Sequence, residues 1–309
     1  MEGFERLRIE GGDVTVSLER GGHGHAVLLL HGFPETRLMW RDVAARLASD
    51  FSVVCPDLPG YGDSGCPESG EDHAAYSKRA MAKALVEVMG RLGHERFAVV
   101  GHDRGGRVAY RAALDHPERV TALAVLDVLP VDTVWDLADD RMALGFWPWS
   151  LLAQPEPLPE RLIAGDPGAV LDHALSEEWG TPAGTFDEAT RAAYLRALSD
   201  PEHVHAICEE YRAGASIDRV HDAADRAAGR TIGCPTLVLW SGSGPLGTWY
   251  DAQGGPLAIW RGLADQVSGE PMEGGHFFPE EHPDATVDAL RTFLTRVVST
   301  SSGHSPMRY

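Results

Sequence analysis

Short runs of β-branched and apolar residues punctuate the chain at 14–19, 26–31, 51–57, 97–101, 123–127 and 236–241, with a last one near 270–273. They are continuous rather than alternating. That pattern predicts strands buried on both faces, as in a mostly parallel sheet flanked by helices. Helical spacing predicts helices over 40–49, 78–93, 107–116 and 284–298. Strand and helix alternate, which predicts a doubly wound α/β fold. The rhythm stops near Pro130. From 131 to about 230 the chain is rich in Ala, Pro, Trp and charge, shows no strand pattern, and reads as helical at 187–197 and 201–213. The sheet pattern resumes at Cys234. The expected organisation is a core of residues 1–130 and 231–298, an inserted helical cap of residues 131–230, and a polar, Ser-rich, disordered tail at 299–309. The glycine-rich stretch 241–255 reads as a loop.

Composition narrows the function. The 309 residues carry a formal charge of −19 with 14 histidines counted neutral. So acidic a surface argues against nucleic acid or an anionic membrane as partner, and leaves a small-molecule substrate. An anionic substrate would then need a local positive site. The apolar runs are too short to span a bilayer, and residues 1–10 lack a basic start followed by an apolar stretch. Cys55, Cys66, Cys208 and Cys234 form no C-x-x-C pair. The expectation is therefore a reduced, cytoplasmic setting with no zinc or redox motif.

The chemistry concentrates in Gly101-His102-Asp103-Arg104-Gly105-Gly106, between a predicted strand and a predicted helix. Small residues around a strand–turn–helix junction let the middle side chain project above the sheet as a nucleophile. Serine is usual there, whereas this chain has Asp103, and the helix N-terminus behind it favours an anion. His276, in Gly274-Gly275-His276-Phe277-Phe278-Pro279, follows the last predicted strand and occupies the place of a general base. The supporting acid is Asp127, at the carboxyl end of its strand, with Asp251 as the alternative. His31-Gly32-Phe33-Pro34 ends an early strand. The backbone N–H groups of Phe33 and Arg104 could form an oxyanion hole.

Residues 101–107, with 123–127, Trp149-Ser150-Leu151-Leu152-Ala153-Gln154-Pro155, 208–215 and 275–281, resemble the fluoroacetate (haloacetate) dehalogenases of the α/β-hydrolase superfamily, which are related to epoxide hydrolases. The resemblance runs from about Gly32 to Leu294. It implies Asp103 as nucleophile, His276 as base and Asp127 as its acid. It also implies that Arg104 and Arg107 grip the substrate carboxylate and that Trp149 and Tyr211 receive the departing halide. Guanidinium groups suit a carboxylate through charge-assisted, bidentate bonds. The family implies a homodimer as an open possibility. One position departs from the family: Pro148 stands where fluoroacetate enzymes carry a halide-binding His, and proline has no donor.

The expected reaction is hydrolytic dehalogenation of a 2-haloacid through an aspartyl ester, without metal or organic cofactor. The alternative is epoxide hydrolysis on the same Asp103 and His276, with Tyr211, aided by Trp149 or Tyr194, polarising the epoxide oxygen.

Overall fold

The computed structural model describes residues 1–302. Eight strands make one sheet: β1 (Glu5–Gly11), β2 (Val14–Gly22), β3 (Ala26–Leu30), β4 (Ser52–Pro56), β5 (Phe97–His102), β6 (Val120–Leu126), β7 (Thr236–Ser241) and β8 (Val267–Met272). Their order across the sheet is β1-β2-β4-β3-β5-β6-β7-β8. β2 runs antiparallel to β1 and β4, and the remaining pairings are parallel. This is an α/β-hydrolase fold.

The continuous apolar strands have a direct cause. In β3, Val27 and Leu29 enter one core layer while Ala26, Leu28 and Leu30 enter the other. Successive side chains point to opposite faces, and helices cover both. On one side lie α1 (Arg41–Leu47) and the final helix; on the other lie α2 (Lys78–Arg91) and α3 (Asp103–Asp115).

Between β6 and β7 the described chain forms no strand within a sheet. It builds α4 (Val131–Asp136), α5 (Asp140–Gly145), α6 (Trp147–Leu152), α7 (Leu158–Gly165), α8 (Pro167–Ala174), α9 (Glu188–Leu198), α10 (Pro201–Ala215) and α11 (Ile217–Ala227). After β7 come α12 (Pro245–Trp249) and α13 (Gly255–Arg261), and after β8 come α14 (Phe278–Glu281) and α15 (Pro283–Ser302).

Four local features differ from the sequence reading. β1 was not expected, because an edge strand reading Glu-Arg-Leu-Arg-Ile-Glu-Gly is half charged and largely exposed. α3 starts at Asp103 rather than Arg107, since glycines 105 and 106 hide its first turn from propensity. The supposed loop 241–255 holds α12, nucleated by Pro245 in its first turn. The tail expected from 299 is helical through Ser302, and the rest of that segment, 303–309, lies outside the described residues. No helix among the described residues is long and apolar enough to cross a membrane.

Candidate active site

Asp103 sits where β5 turns into α3, with its backbone at φ 41°. A non-glycine residue there costs about 1–3 kcal/mol and persists only where its surroundings enforce it. Packing does so here. A Cβ on Gly101 would lie 2.3 Å from the Gly105 carbonyl oxygen, so only glycine lets the helix fold back onto the strand. The strained turn lifts the Asp103 carboxylate out of the sheet. Its Oδ2 accepts from the Phe33 N–H at 3.2 Å and its Oδ1 from Arg107 Nη1 at 2.8 Å. Burial pushes the carboxyl pKa up, but the charges of Arg107, His276, Arg104 and His102 outweigh it and hold it well below the usual carboxylate range. Asp103 is therefore an ionised, partly desolvated nucleophile candidate.

The base candidate stands nearby. His276 Nδ1 lies 2.6 Å from Asp127 Oδ2. Asp127 ends its strand at φ 46°, and its Oδ1 accepts from the Ser241 N–H at 2.9 Å. With Nδ1–H donated to Asp127, Nε2 is left as the acceptor that can take a proton from water. The loop of His276 is fixed by the helical insert. The His276 N–H donates to the Trp179 carbonyl at 2.9 Å, and a Cβ on Gly275 would meet Gly180 at 2.3 Å. Trp179 also sets its ring edge-on to His276, 5.4 Å between centroids. Asp251, the alternative acid, is exposed on a short turn after α12 and is not part of this constellation.

Asp103, Asp127, His276 and Arg107 line one cavity beneath the insert, together with Phe33, Pro148, Trp149 and Tyr211. Leu129, Val134, Phe146 and Leu246 complete an apolar wall that pattern reading did not single out. The Tyr211 hydroxyl has no protein hydrogen-bond partner among the described residues.

The two arginines expected to act together have different placements. Arg107 lines the cavity and lies 4.5 Å from the Trp149 ring centroid; its Nε is buried without a partner. Arg104 does not line the cavity. Its guanidinium lies 4.0 Å from the Tyr211 ring centroid and is held bidentate by Glu210, with Nε at 2.8 and 2.9 Å and Nη2 at 2.7 Å. Lys78 closes on the same carboxylate. Glu210 was missed in the sequence, though an acid on an otherwise apolar face of α10, next to Tyr211, was the available signal. Tyr194 is also displaced from its expected place: its hydroxyl donates to Glu280 at 2.9 Å and the residue does not line the cavity. Among the described residues, no group of three or more His, Cys, Asp or Glu could hold a metal ion.

Residues 25–283 match the α/β hydrolase fold family. The chain is an α/β hydrolase. This α/β hydrolase is 42% identical over 294 residues to the fluoroacetate dehalogenase of a Burkholderia species, covering 95% of each chain. It is 32% identical over 276 residues to the soluble epoxide hydrolase of Corynebacterium sp. (strain C12), covering 88% of this chain and 91% of the other. A crystal structure of a Nostoc sp PCC 7120 protein superposes with a TM-score of 0.90 at 46% identity, covering 94% of this chain and 98% of that one. The α/β hydrolase described here thus belongs with the fluoroacetate dehalogenases, has epoxide hydrolases among its relatives, and is a hydrolytic enzyme.

Proposed function

We propose that this enzyme hydrolyses small 2-haloacids through a covalent ester on Asp103. The observation that carries the reading is an ionised carboxylate on a strained turn, sharing one cavity with an arginine and with a carboxylate-backed imidazole. Arg107 keeps Nη1 on Asp103 while its Nε has no partner. That free edge suits the substrate carboxylate and would hold the α-carbon beside the nucleophile. Asp103 attacks that carbon in line, the carbon–halogen bond breaks, and halide departs toward the N–H of Trp149 and the hydroxyl of Tyr211. His276 then takes a proton from water, and the oxygen attacks the ester carbonyl of Asp103 itself. Asp127 stabilises the imidazolium, and the N–H groups of Phe33 and Arg104 receive the oxyanion. Collapse releases a 2-hydroxyacid and restores Asp103. With Arg104 tied to Glu210, its guanidinium supports the site from behind Tyr211 while Arg107 grips the carboxylate.

Epoxide hydrolysis is the second reading. Its support is the unpartnered Tyr211 hydroxyl facing the cavity, the apolar wall with Pro148, and the neutralisation of Arg107 by Asp103 in the resting state. A panel of chloro-, bromo- and fluoroacetate with halide detection, run beside styrene oxide with diol detection, separates the two. Halide release from at least one haloacetate is expected. No halide from any of them, with diol formation from the epoxide, would reverse the assignment.

A further inference from the structure

Behind the base lies a buried polar chain that the reaction above does not use. Glu35 Oε2 accepts from the Gly32 N–H at 3.0 Å, in the turn that carries Phe33, and faces His102 Nδ1 at 3.0 Å. His102 Nε2 lies 2.8 Å from the carbonyl of His276. A carbonyl can only accept, so Nε2 carries a proton, and a second proton on Nδ1 would be donated to Glu35. The direction of the His102 shift favours that imidazolium form. Burial opposes its charge, but the charge and hydrogen bond of Glu35, with Asp103 beyond, push its pKa up to about 9.

The far end of the chain is two carboxyl groups in contact. Glu280, on α14, lies against Glu35, and Tyr194 from α9 donates to its Oε1. One oxygen of each acid, Glu35 Oε1 and Glu280 Oε2, is buried with no hydrogen-bond donor from the described residues. Two carboxylates cannot hydrogen-bond each other, whereas a carboxylic acid and a carboxylate can, through one proton between those two oxygens. Burial disfavours charge on Glu280 and Glu35 repels it, and together they outweigh the hydrogen bond from Tyr194 and the charge of Arg41, which act the other way. Glu35 Oε2 already faces two groups, the Gly32 N–H and His102, so the proton is assigned to Glu280.

We propose that Glu280 and Glu35 share one proton, and that this acid–carboxylate pair, acting through His102, is a positioning device that ties the Phe33 turn to the His276 loop. The pair joins three pieces: the oxyanion turn through Gly32, the base loop through His102, and the helical insert through Tyr194. Neither acid lines the cavity. Losing the proton sets two anions face to face and drives the two loops apart, so the device weakens as pH rises. The sign follows from the direction of the shift. An acid whose folded pKa is raised contributes stability below its unfolded pKa, and loses it as pH rises through the folded value.

The role in turnover rests on the ester mechanism proposed above, but the shared proton can be read without substrate. Infrared difference spectra of the resting full-length enzyme at pH 7 should contain a protonated-carboxyl C=O stretch that Glu280→Gln removes. An amide keeps the geometry, since its N–H can donate to Glu35 and its oxygen can accept from Tyr194. Glu280→Ala should lower kcat by about tenfold to a hundredfold with little change in KM, and Glu280→Gln should restore most of it. Glu280→Gln should also shift the alkaline limbs of thermal stability and of kcat to higher pH. A spectrum without such a band, or an alkaline stability limb identical in wild type and Glu280→Gln, would overturn the proposal. If the band is present and Glu280-dependent while no haloacid or epoxide is turned over, the proposed reaction fails and the shared proton stands.

Discussion

Pro148→His is the most informative single change, because it supplies a donor where the family resemblance implies a halide-binding His. Pro148 occupies the first turn of α6, where a helix has no use for its N–H, and it faces the cavity beside Trp149. The residue that replaces it therefore loses no backbone hydrogen bond. Release of proline's constraint on the unfolded chain costs about 0.4–1 kcal/mol of stability, roughly a few degrees in Tm. Against this, one buried donor aimed at a developing anion contributes about 2–4 kcal/mol to the transition state. That corresponds to roughly thirtyfold to a thousandfold in kcat. Fluoride is small, basic and tightly hydrated, so its departure depends most on such a donor. Fluoride-electrode and chloride assays on the same samples should show fluoroacetate turnover rising by that factor while chloroacetate changes by less than about threefold. Equal gains for both halides, or no gain in a variant that keeps its Tm, would refute the idea that the missing donor limits fluoride release.

Other expectations follow from the same geometry. Asp103→Asn should abolish the substrate-derived mass increment on the protein, and His276→Gln should make that increment accumulate, both visible by intact-protein mass spectrometry. Arg107→Met should raise KM for haloacids by roughly thirtyfold or more through loss of a charge-assisted pair, with a far smaller effect on any neutral epoxide. Arg107 is also the largest charge holding the Asp103 pKa down. A carboxylate with a depressed pKa supplies stability above its unfolded pKa and loses it as pH falls toward the folded value. The acid limb of activity should therefore move to higher pH in Arg107→Met. Asp127→Asn should lower kcat by two orders of magnitude or more, because it removes the charge behind the imidazolium and offers Nδ1 the wrong partner.

What the sequence revealed is what depends on local order. β7 was legible to the residue and β3 to within one, because strands covered on both faces must be apolar throughout. The elbow was legible because its glycines have no other reason to cluster. Asp127 was legible because it ends a strand where sites gather. β1 was not, since an exposed edge strand needs no apolar face. Glu210 and Glu280 were illegible for a different reason. Each is a buried acid whose meaning comes from partners far away in the chain: Arg104 and Lys78 for one, Glu35 and Tyr194 for the other. One-dimensional patterns carry no pairing, so the separate fates of Arg104 and Arg107 could be seen only once α10 was packed against α3.

The carbonyl of Trp179 and the close seat of Gly180 on Gly275 have an engineering consequence. The helical insert is usually imagined as an exchangeable lid that chooses substrates while the core performs the reaction. In this protein part of the core's own alignment is borrowed from that lid. Grafting another insert onto these strands would change the pocket and detune the imidazole at once, so a chimera that keeps the segment around 179–181 should outlive one that does not.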